Sequence, residues 1–439
     1  MNYQQAYDYL NSLSNLRRKE YMTDSRHYSL YLKRLQFFLD ILENPEKKIP
    51  HYIHVTGTSG KGSLCLMLQS ILKEDKKNVG TLISPHPTDI TERWQIGGKP
   101  MQKNEFAKII ELFKTKLDQY IQTSPYDMVS FHEITTAIGL YYFAQKKVKW
   151  AILEVGCGGR YDSTNIIPKK DIAVITNIGL DHTETFGNSK ENIAYEKAGL
   201  IKTGCKVFTM EKNKKILSII EAECKKTKTP LIQVKTKIPQ KNVTLEGTSF
   251  AYKNESYKIK TIGKHQIQNT ILAIEIADKL NIAAKSIKLG LSKTDLPIRM
   301  EVVSKFPTII LDSAHNPDKI KTTVNTIKQI NQLNNKPINL ILGFSENKKI
   351  ITMLNELKKL NPKSIAITRN TINPFRKVAD PKELEQKCKK IFPKIEIQIF
   401  LDPIGALDWS RKKLKKHDIL LITGSVFLAG ELRPTLTKK

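Results

Sequence analysis

Cysteine is scarce. Five occur in 439 residues, at Cys65, Cys157, Cys205, Cys224 and Cys388, and none forms a C-x-x-C pair. That scatter excludes a disulfide framework and a thiolate zinc site, and it fits a reducing compartment. Cys157 lies in a glycine-rich stretch but has no His–Asn pairing near it in sequence, so it reads as inert rather than as a nucleophile. Arginine is also scarce, at 11 of 72 basic residues, although the net charge is +29. Arginine is the residue that forks onto phosphate and reads base edges, so its rarity argues against a nucleic-acid binder. The lysines are spread along the chain, many as Lys-Lys pairs, which is the pattern of a solvated surface; a milder reading is a positive field that attracts polyanionic small molecules. No apolar run reaches the roughly eighteen residues of a membrane span. The first residues, "MNYQQAYDYLNSLSNLRRKEY", have no apolar signal-peptide core. A cytoplasmic protein without membrane partners is expected.

What is present is the composition of a folded chain, 40% hydrophobic and 26% charged. Short β-rich runs alternate with helical periodicity. Strands are predicted at 52–55, 79–84, 150–155, 172–178 and 206–210, with helices near 104–121, 131–147, 190–200 and 213–226. A hairpin-like insert covers 242–262 and precedes a helix opening at His265. After Pro297 a second alternating set begins, with strands at 308–312, 338–343, 364–368, 395–400 and 418–424. The pattern predicts an α/β fold: a P-loop-type, mostly parallel sheet domain over 1–296, then a smaller doubly wound, Rossmann-like domain over 297–439. Ligands of such sheets lie outside the carboxyl ends of the strands.

The first such strand end carries "HVTGTSGKGS". Gly57, Gly60 and Gly62 let backbone approach phosphate oxygens, and the following helix offers its N-terminal N–H groups. Lys61 reaches terminal phosphates, and Ser63 supports a metal or a phosphate. The spacing departs from G-x-x-x-x-G-K-[ST], because Gly57 and Gly60 are close together and Gly62 separates Lys61 from Ser63. A tight strand-to-helix turn without a ligand is the alternative; the strand–glycine–lysine–helix context favours a nucleotide. Ser84 and Glu154 stand at two further strand ends, and burying the Glu154 carboxylate calls for a cation beside it. Asp181 and His182 follow a fourth strand, with Lys197 on the next helix. Alone, His182 reads as a structural histidine; with Ser84, Glu154 and the loop it reads as a magnesium ligand.

The blocks "HVTGTSGKGS", "SPH" with "ERWQIGGKPM", "LEVGCGGRYDSTN", "IGLDHTETFG", "EKAGLIK", "GKHQIQN", "LDSAHNP" and "ITGSVFLAGE" occur in that order. Together they closely resemble folylpolyglutamate synthase and dihydrofolate synthase, a branch of the Mur ligase superfamily. The resemblance runs from about residue 30 to the C-terminal "GELR", and the shortened glycine spacing is itself a trait of that family.

The resemblance implies an ATP-dependent acid–amino-acid ligase of folate biosynthesis and one-carbon metabolism. Such an enzyme adds L-glutamate to a folate or to dihydropteroate through an acyl phosphate. It implies an ATP site of Gly57, Thr58, Ser59, Gly60, Lys61, Gly62, Ser63, Asn269, Arg299, Asp312 and His315. Two Mg2+ positions are implied, held by Ser84, Glu154, His182 and Lys197. Lys61, Lys197 and His182 take the catalytic roles, and Lys197 matches a lysine that many members carry as a carbamate. Ser130, His132, Arg160 and Asp162 are implied near the folate. Here the chain departs from the family: Ser130–Glu133 reads S-F-H-E rather than T-F-F-E, and Pro87 replaces a leucine after "SPH". His132 either stacks on the pteroyl rings or is a structural helix residue. The departures bear on pterin choice and not on ligase chemistry. The expected partners are ATP, L-glutamate and a pteroyl acid, acting on a monomer, with no nucleic acid. A muramyl-peptide-type ligase is the alternative within the superfamily, and a basic nucleic-acid-binding protein with an inactive P-loop is the alternative outside it.

Overall fold

A computed structural model describes residues 1–16, 29–181, 183–235, 241–330, 333, 335–346, 348–373 and 377–437. They form two compact units: Met1–His86, Ile90–Lys237 and Gln268–Leu291 in the first, and Pro87–Asp89, Ile238–Ile267 and Ser292–Lys439 in the second. The segment expected as a hairpin insert thus groups with the second unit.

The first unit is built on eight strands: β1 (His51–Thr56), β2 (Val79–Leu82), β3 (Trp94–Ile96), β4 (Lys99–Pro100), β5 (Trp150–Glu154), β6 (Ile172–Ile175), β7 (Lys206–Thr209) and β8 (Leu231–Gln233). Their order across the sheet is β4-β3-β2-β5-β1-β6-β7-β8. All neighbours from β2 to β8 are parallel, and β3 and β4 add an antiparallel edge. The chain leaves β1 towards β2 on one side and later crosses to β6 on the other. That reversal opens a crevice at the carboxyl end of β1, where the glycine loop lies. One face of the sheet is covered by an aromatic-rich core that includes Phe38, Trp94, Phe106, Phe113 and Phe143. Further along the sheet the same face packs Ile175 and Val207 against Ile193, Ile216 and Ile220.

The helix Phe131–Gln145 begins where Ser130 and Glu133 form a capping box, Glu133 N–H donating to Ser130 Oγ at 3.2 Å and Ser130 N–H to Glu133 Oε2 at 2.7 Å. The same Glu133 carboxylate pairs with buried Arg34, whose other nitrogen reaches Asp127 at 3.0 Å. Arg34 lies on the helix Ser29–Ile41, so this ion cluster ties that helix to the helix Phe131–Gln145 and to the loop of Asp127.

The second unit holds two sheets. One has three antiparallel strands, β9 (Lys241–Thr244), β10 (Gly247–Tyr252) and β11 (Glu255–Ile259), one strand more than a hairpin. The other has six: β12 (Glu301–Lys305), β13 (Thr308–Leu311), β14 (Ile338–Leu342), β15 (Ser364–Ile367), β16 (Glu396–Ile399) and β17 (Ile419–Thr423), in the order β12-β13-β17-β14-β15-β16. Only β12 is antiparallel within that sheet. The apolar runs of its strands serve two cores by alternation. Ile310, Leu340, Leu342, Ile365, Ile367 and Leu421 face one core, and Ile309, Leu311, Ile341, Ala366, Leu420 and Ile422 face the other. Among the described residues, no helix is long and apolar enough to cross a membrane.

Candidate active site

Four strand ends of the first unit converge at the crevice. β1 runs into Gly57–Gly60 and then the helix Lys61–Glu74. Gly57 has φ +143°, and a Cβ there would stand 1.8 Å from Thr176 Oγ1, so only glycine fits. Gly60 turns the chain into the helix with φ +85°, its Cα facing the Asn269 side chain. The helical ladder starts with Leu64 N–H on Gly60 O at 2.9 Å, so the first-turn N–H groups lie upstream of it at the positive end of the helix dipole.

The loop after β6 holds the glycine loop in place. Asn177 accepts twice: Thr58 N–H on its carbonyl at 2.9 Å and Ser59 N–H on Oδ1 at 2.9 Å. Thr58 Oγ1 exchanges hydrogen bonds with Gly179, and Thr176 Oγ1 donates to Ser59 O at 2.7 Å. Thr176, Asn177 and Gly179 were not anticipated as loop supports. The signal was "VITNIGL", small polar residues after an apolar strand.

Two ammonium groups meet on one backbone oxygen. Lys61 Nζ donates to Gly57 O at 2.9 Å, and Lys197 Nζ donates to the same atom at 3.2 Å. Lys197 is 2% exposed on the helix Lys190–Ala198. Burial first, and then the Lys61 charge, pulls its pKa down to about 8. Nearby Cys157 is pushed up to about 12, chiefly by burial, which agrees with the inert reading of its thiol.

Glu154 ends β5, 4% exposed, and its Oε2 accepts Ser84 N–H at 2.9 Å, which brings two of the expected metal ligands together. The expected cation near Glu154 has a protein counterpart. The charge of buried Arg93 is stabilised by Glu154, although burial, the larger effect, lowers its pKa to about 10. Arg93 Nε donates to His86 Nδ1 at 3.1 Å, and its guanidinium lies over Phe131. His182 lies outside the described residues. Among the described residues no three His, Cys, Asp or Glu side chains are grouped as a metal site; of the four expected ligands, Glu154 alone is both described and of those types.

The residues expected near folate divide. His132 is exposed, and its Nδ1 is 4.0 Å from where a Cβ of Gly156 would stand. Asp162 Oδ2 accepts from Gly156 N–H at 3.1 Å and Cys157 N–H at 2.9 Å, closing the glycine turn. Ser130 caps a helix. Arg160 pairs with Glu223 at 3.2 Å and stacks 4.1 Å over Tyr195, so its guanidinium is committed to the scaffold.

In the second unit Asp312 ends the run of β13. Its carboxylate accepts from Met300 N–H at 3.1 Å, Ala314 N–H at 3.2 Å and Thr323 Oγ1 at 2.6 Å. Burial raises its pKa despite these donors. The Met300 contact anchors the segment that carries Arg299, whose Nη1 donates to Pro297 O at 3.1 Å. His315 Nδ1 meets Ser313 O at 2.8 Å, and its Nε2 faces Lys319 Nζ at 3.2 Å.

A glycine loop at the switch point of a parallel sheet, followed by a second doubly wound unit, is the architecture of a Mur-type ligase. Family models agree: residues 55–277 match the Mur ligase middle domain and residues 298–426 match the Mur ligase glutamate ligase domain. The dihydrofolate synthase/folylpolyglutamate synthase of Bacillus subtilis is 32% identical over 419 residues, covering 92% of this chain and 94% of that protein. The fold is shared with Mycobacterium tuberculosis folylpolyglutamate synthase complexed with ADP and AMPPCP, at TM-score 0.85 and 24% identity over the whole of both chains. An Escherichia coli FolC structure in complex with DHPP and ADP gives TM-score 0.79 at 25% identity, covering 98% of this chain and 97% of that one. The chain belongs to the folylpolyglutamate synthase/dihydrofolate synthase family. It is an ATP-dependent ligase.

Proposed function

We propose that this ligase activates a carboxylate of a pteroyl substrate with ATP and joins it to the amino group of L-glutamate, using the residues at the carboxyl ends of β1, β5 and β6. The observation that carries the assignment is the convergence of Lys61 and Lys197 on Gly57 O beside a helix N-terminus. Two cations brought together in a largely buried place are costly unless an anion joins them. A terminal phosphate of ATP is such an anion, and the loop N–H groups complete its surroundings.

The substrate carboxylate attacks the γ-phosphorus, ADP leaves, and an acyl phosphate remains. Lys61 and the loop N–H groups take up the charge that develops on the transferred oxygens. The amino group of glutamate then attacks the acyl carbon, the amide forms and phosphate departs.

The Glu154 carboxylate beside Ser84 is a hard oxygen donor set, which suits Mg2+. These two residues, with His182, would hold the metal, which would supply charge neutralisation at the phosphates when bound; Lys197, once carbamylated, would join them as an anionic ligand and leave Lys61 as the cation on the phosphate. An amine with a pKa near 8 is partly neutral at physiological pH, the state that captures carbon dioxide. His132 and the Asp162-closed glycine turn are assigned to the pteroyl side, with Ser130 and Arg160 supporting them from behind. Arg299, Asp312 and His315 are assigned to the nucleotide.

The test is ADP release with Mg2+, L-glutamate and either dihydropteroate or tetrahydrofolate, with the amide product identified by mass. The two pteroyl acids also separate one synthase activity from both. Equal ADP release when glutamate or the pteroyl acid is omitted would refute the assignment. Replacing His132 by Ala is expected to change the ratio of the two activities; an equal effect on both would remove His132 from the pteroyl site.

A further inference from the structure

We propose that Lys170 is a positioning residue for this ligase: it clamps together, from inside the first unit, the three segments that carry the proposed reaction centre. This rests on the functional reading above.

Lys170 is 3% exposed, and the hydrogen-bond partners of its Nζ among the described residues include no carboxylate. Its Nζ instead meets three neutral groups: His54 Nδ1 at 2.8 Å, Asn165 Oδ1 at 2.9 Å and Leu200 O at 2.6 Å. Each belongs to a different arm of the site. His54 is on β1, two residues before Thr56 and the glycine loop. Asn165 ends the turn that follows Glu154. Leu200 follows the helix of Lys197, and its N–H donates back to Lys197 O at 3.3 Å.

From His54 the contacts continue to the glycine turn. His54 Nε2 meets Thr164 Oγ1 at 2.7 Å, and Thr164 N–H donates to Asp162 Oδ1 at 3.0 Å, with its hydroxyl on the same oxygen. The other oxygen of Asp162 holds the N–H groups of Gly156 and Cys157, immediately beyond Glu154. From Asn165 the contacts run to the Lys197 helix: its Nδ2 donates to Gly199 O at 3.3 Å and to Arg160 O at 2.9 Å, while Arg160 N–H donates to Glu196 O at 2.8 Å. Gly159 packs so tightly there that a Cβ would lie 2.8 Å from Lys197 O.

An apolar side chain would fill the same volume without joining these arms. Burial pushes the pKa of Lys170 well below that of an ordinary lysine, with Lys202 acting in the same direction; His54 is pushed down likewise by burial and then by Lys170. A buried amine kept without a counter-charge is a cost to the fold. The bonds it makes put a geometric constraint in return on the atoms that must align for phosphoryl transfer, where a 1 Å displacement costs about 100-fold.

The experiment compares the full-length wild type with Lys170→Met, Thr164→Val and the double variant. It measures kcat, KM for Mg·ATP and for glutamate, and thermal stability, using whichever of dihydropteroate and tetrahydrofolate the wild type turns over. Lys170→Met is expected to lower kcat by roughly 10- to 100-fold while KM for ATP stays within about twofold. Thr164→Val, which cuts only the link from His54 to Asp162, is expected to lower kcat by roughly 3- to 10-fold with the same split. The double variant should be no more than about twofold worse than Lys170→Met, because both act through one network. Wild-type kcat in folded Lys170→Met, or a loss accounted for by the unfolded fraction alone, overturns the proposal. If Lys170→Met does not fold, wild-type kcat in Thr164→Val overturns it instead, and a lowered kcat there supports it. A wild type without pteroyl-dependent turnover refutes the ligase reading, a distinct result.

Discussion

At the scale of single residues, half-buried Lys61 and buried Lys197 stand at the reaction centre, and His54 and His265 carry a pH liability. Lys61 touches Gly57 O from the start of its helix, where its ammonium reinforces the helix dipole. Lys61→Met keeps most of the apolar stem and removes the charge that answers the transferring phosphate. It is expected to lower kcat by roughly 100- to 1000-fold with little change in stability, read by coupled ADP release and a urea midpoint. The histidines act in the other direction. Burial lowers the pKa of His265 to about 4 and holds that of His54 well below the usual value. The folded state therefore refuses a proton that the unfolded chain accepts below about 6.5. The stability of these sites is fully present above that value and is lost as the pH falls towards the folded pKa, up to about 3 kcal/mol for His265 by pH 4. Urea midpoints at pH 7, 6 and 5 should fall for the wild type and fall less for His265→Gln. Parallel slopes would show that other groups set the acid limit.

At the scale of elements, legibility in the sequence followed how local the cause was. The central parallel strands announced themselves because both faces are buried, as in the continuous apolar runs "IAVI" and "ILLIT", whereas the part-exposed edge strand β8 was missed. The strands β3 and β4 were passed over, although the Gly97–Gly98 pair between them, with φ +55° and +81°, is a hairpin signal. Helix Tyr3–Ser12 was hidden by a polar composition; Ala6 and Leu10, one turn apart, carry its buried stripe. The glycine loop was legible since its geometry is set within a few residues. The meeting of Lys61 with Lys197, 140 residues from Gly57, was not derivable from spacing and came only through resemblance. Arg160 and Ser130 also came through resemblance, and their atoms make a scaffold pair and a helix cap. The loop itself makes a test. Gly57→Ala would put a methyl group 1.8 Å from Thr176 Oγ1 at a φ that L residues avoid. It is expected to cost about 2–4 kcal/mol and to raise KM for ATP. Thr176→Ala introduced alongside should recover part of that stability, because it removes the hydroxyl the methyl meets.

At the scale of the whole molecule, the net charge of +29 becomes an argument about encounter. Its lysines are mostly exposed, so as individual ion pairs they contribute little. Their sum is a long-range field, and the three substrates of the proposed reaction, ATP, glutamate and a pteroyl acid, are all anions. Such a field raises the rate at which anions arrive and leaves the bound-state chemistry alone. Screening shortens its reach to roughly 10 Å at 0.1 M salt and less above that. Raising potassium chloride from 50 to 300 mM is therefore expected to lower kcat/KM for Mg·ATP several-fold while kcat changes by less than about twofold. Charge-reversing pairs of exposed lysines on the second unit, such as Lys389 and Lys390 on the helix Pro381–Ile391, should reproduce a fraction of that fall at low salt and none at high salt. If kcat falls with salt as steeply as kcat/KM, the charge is acting on the bound state, and Lys61 and Lys197 rather than the surface would be responsible.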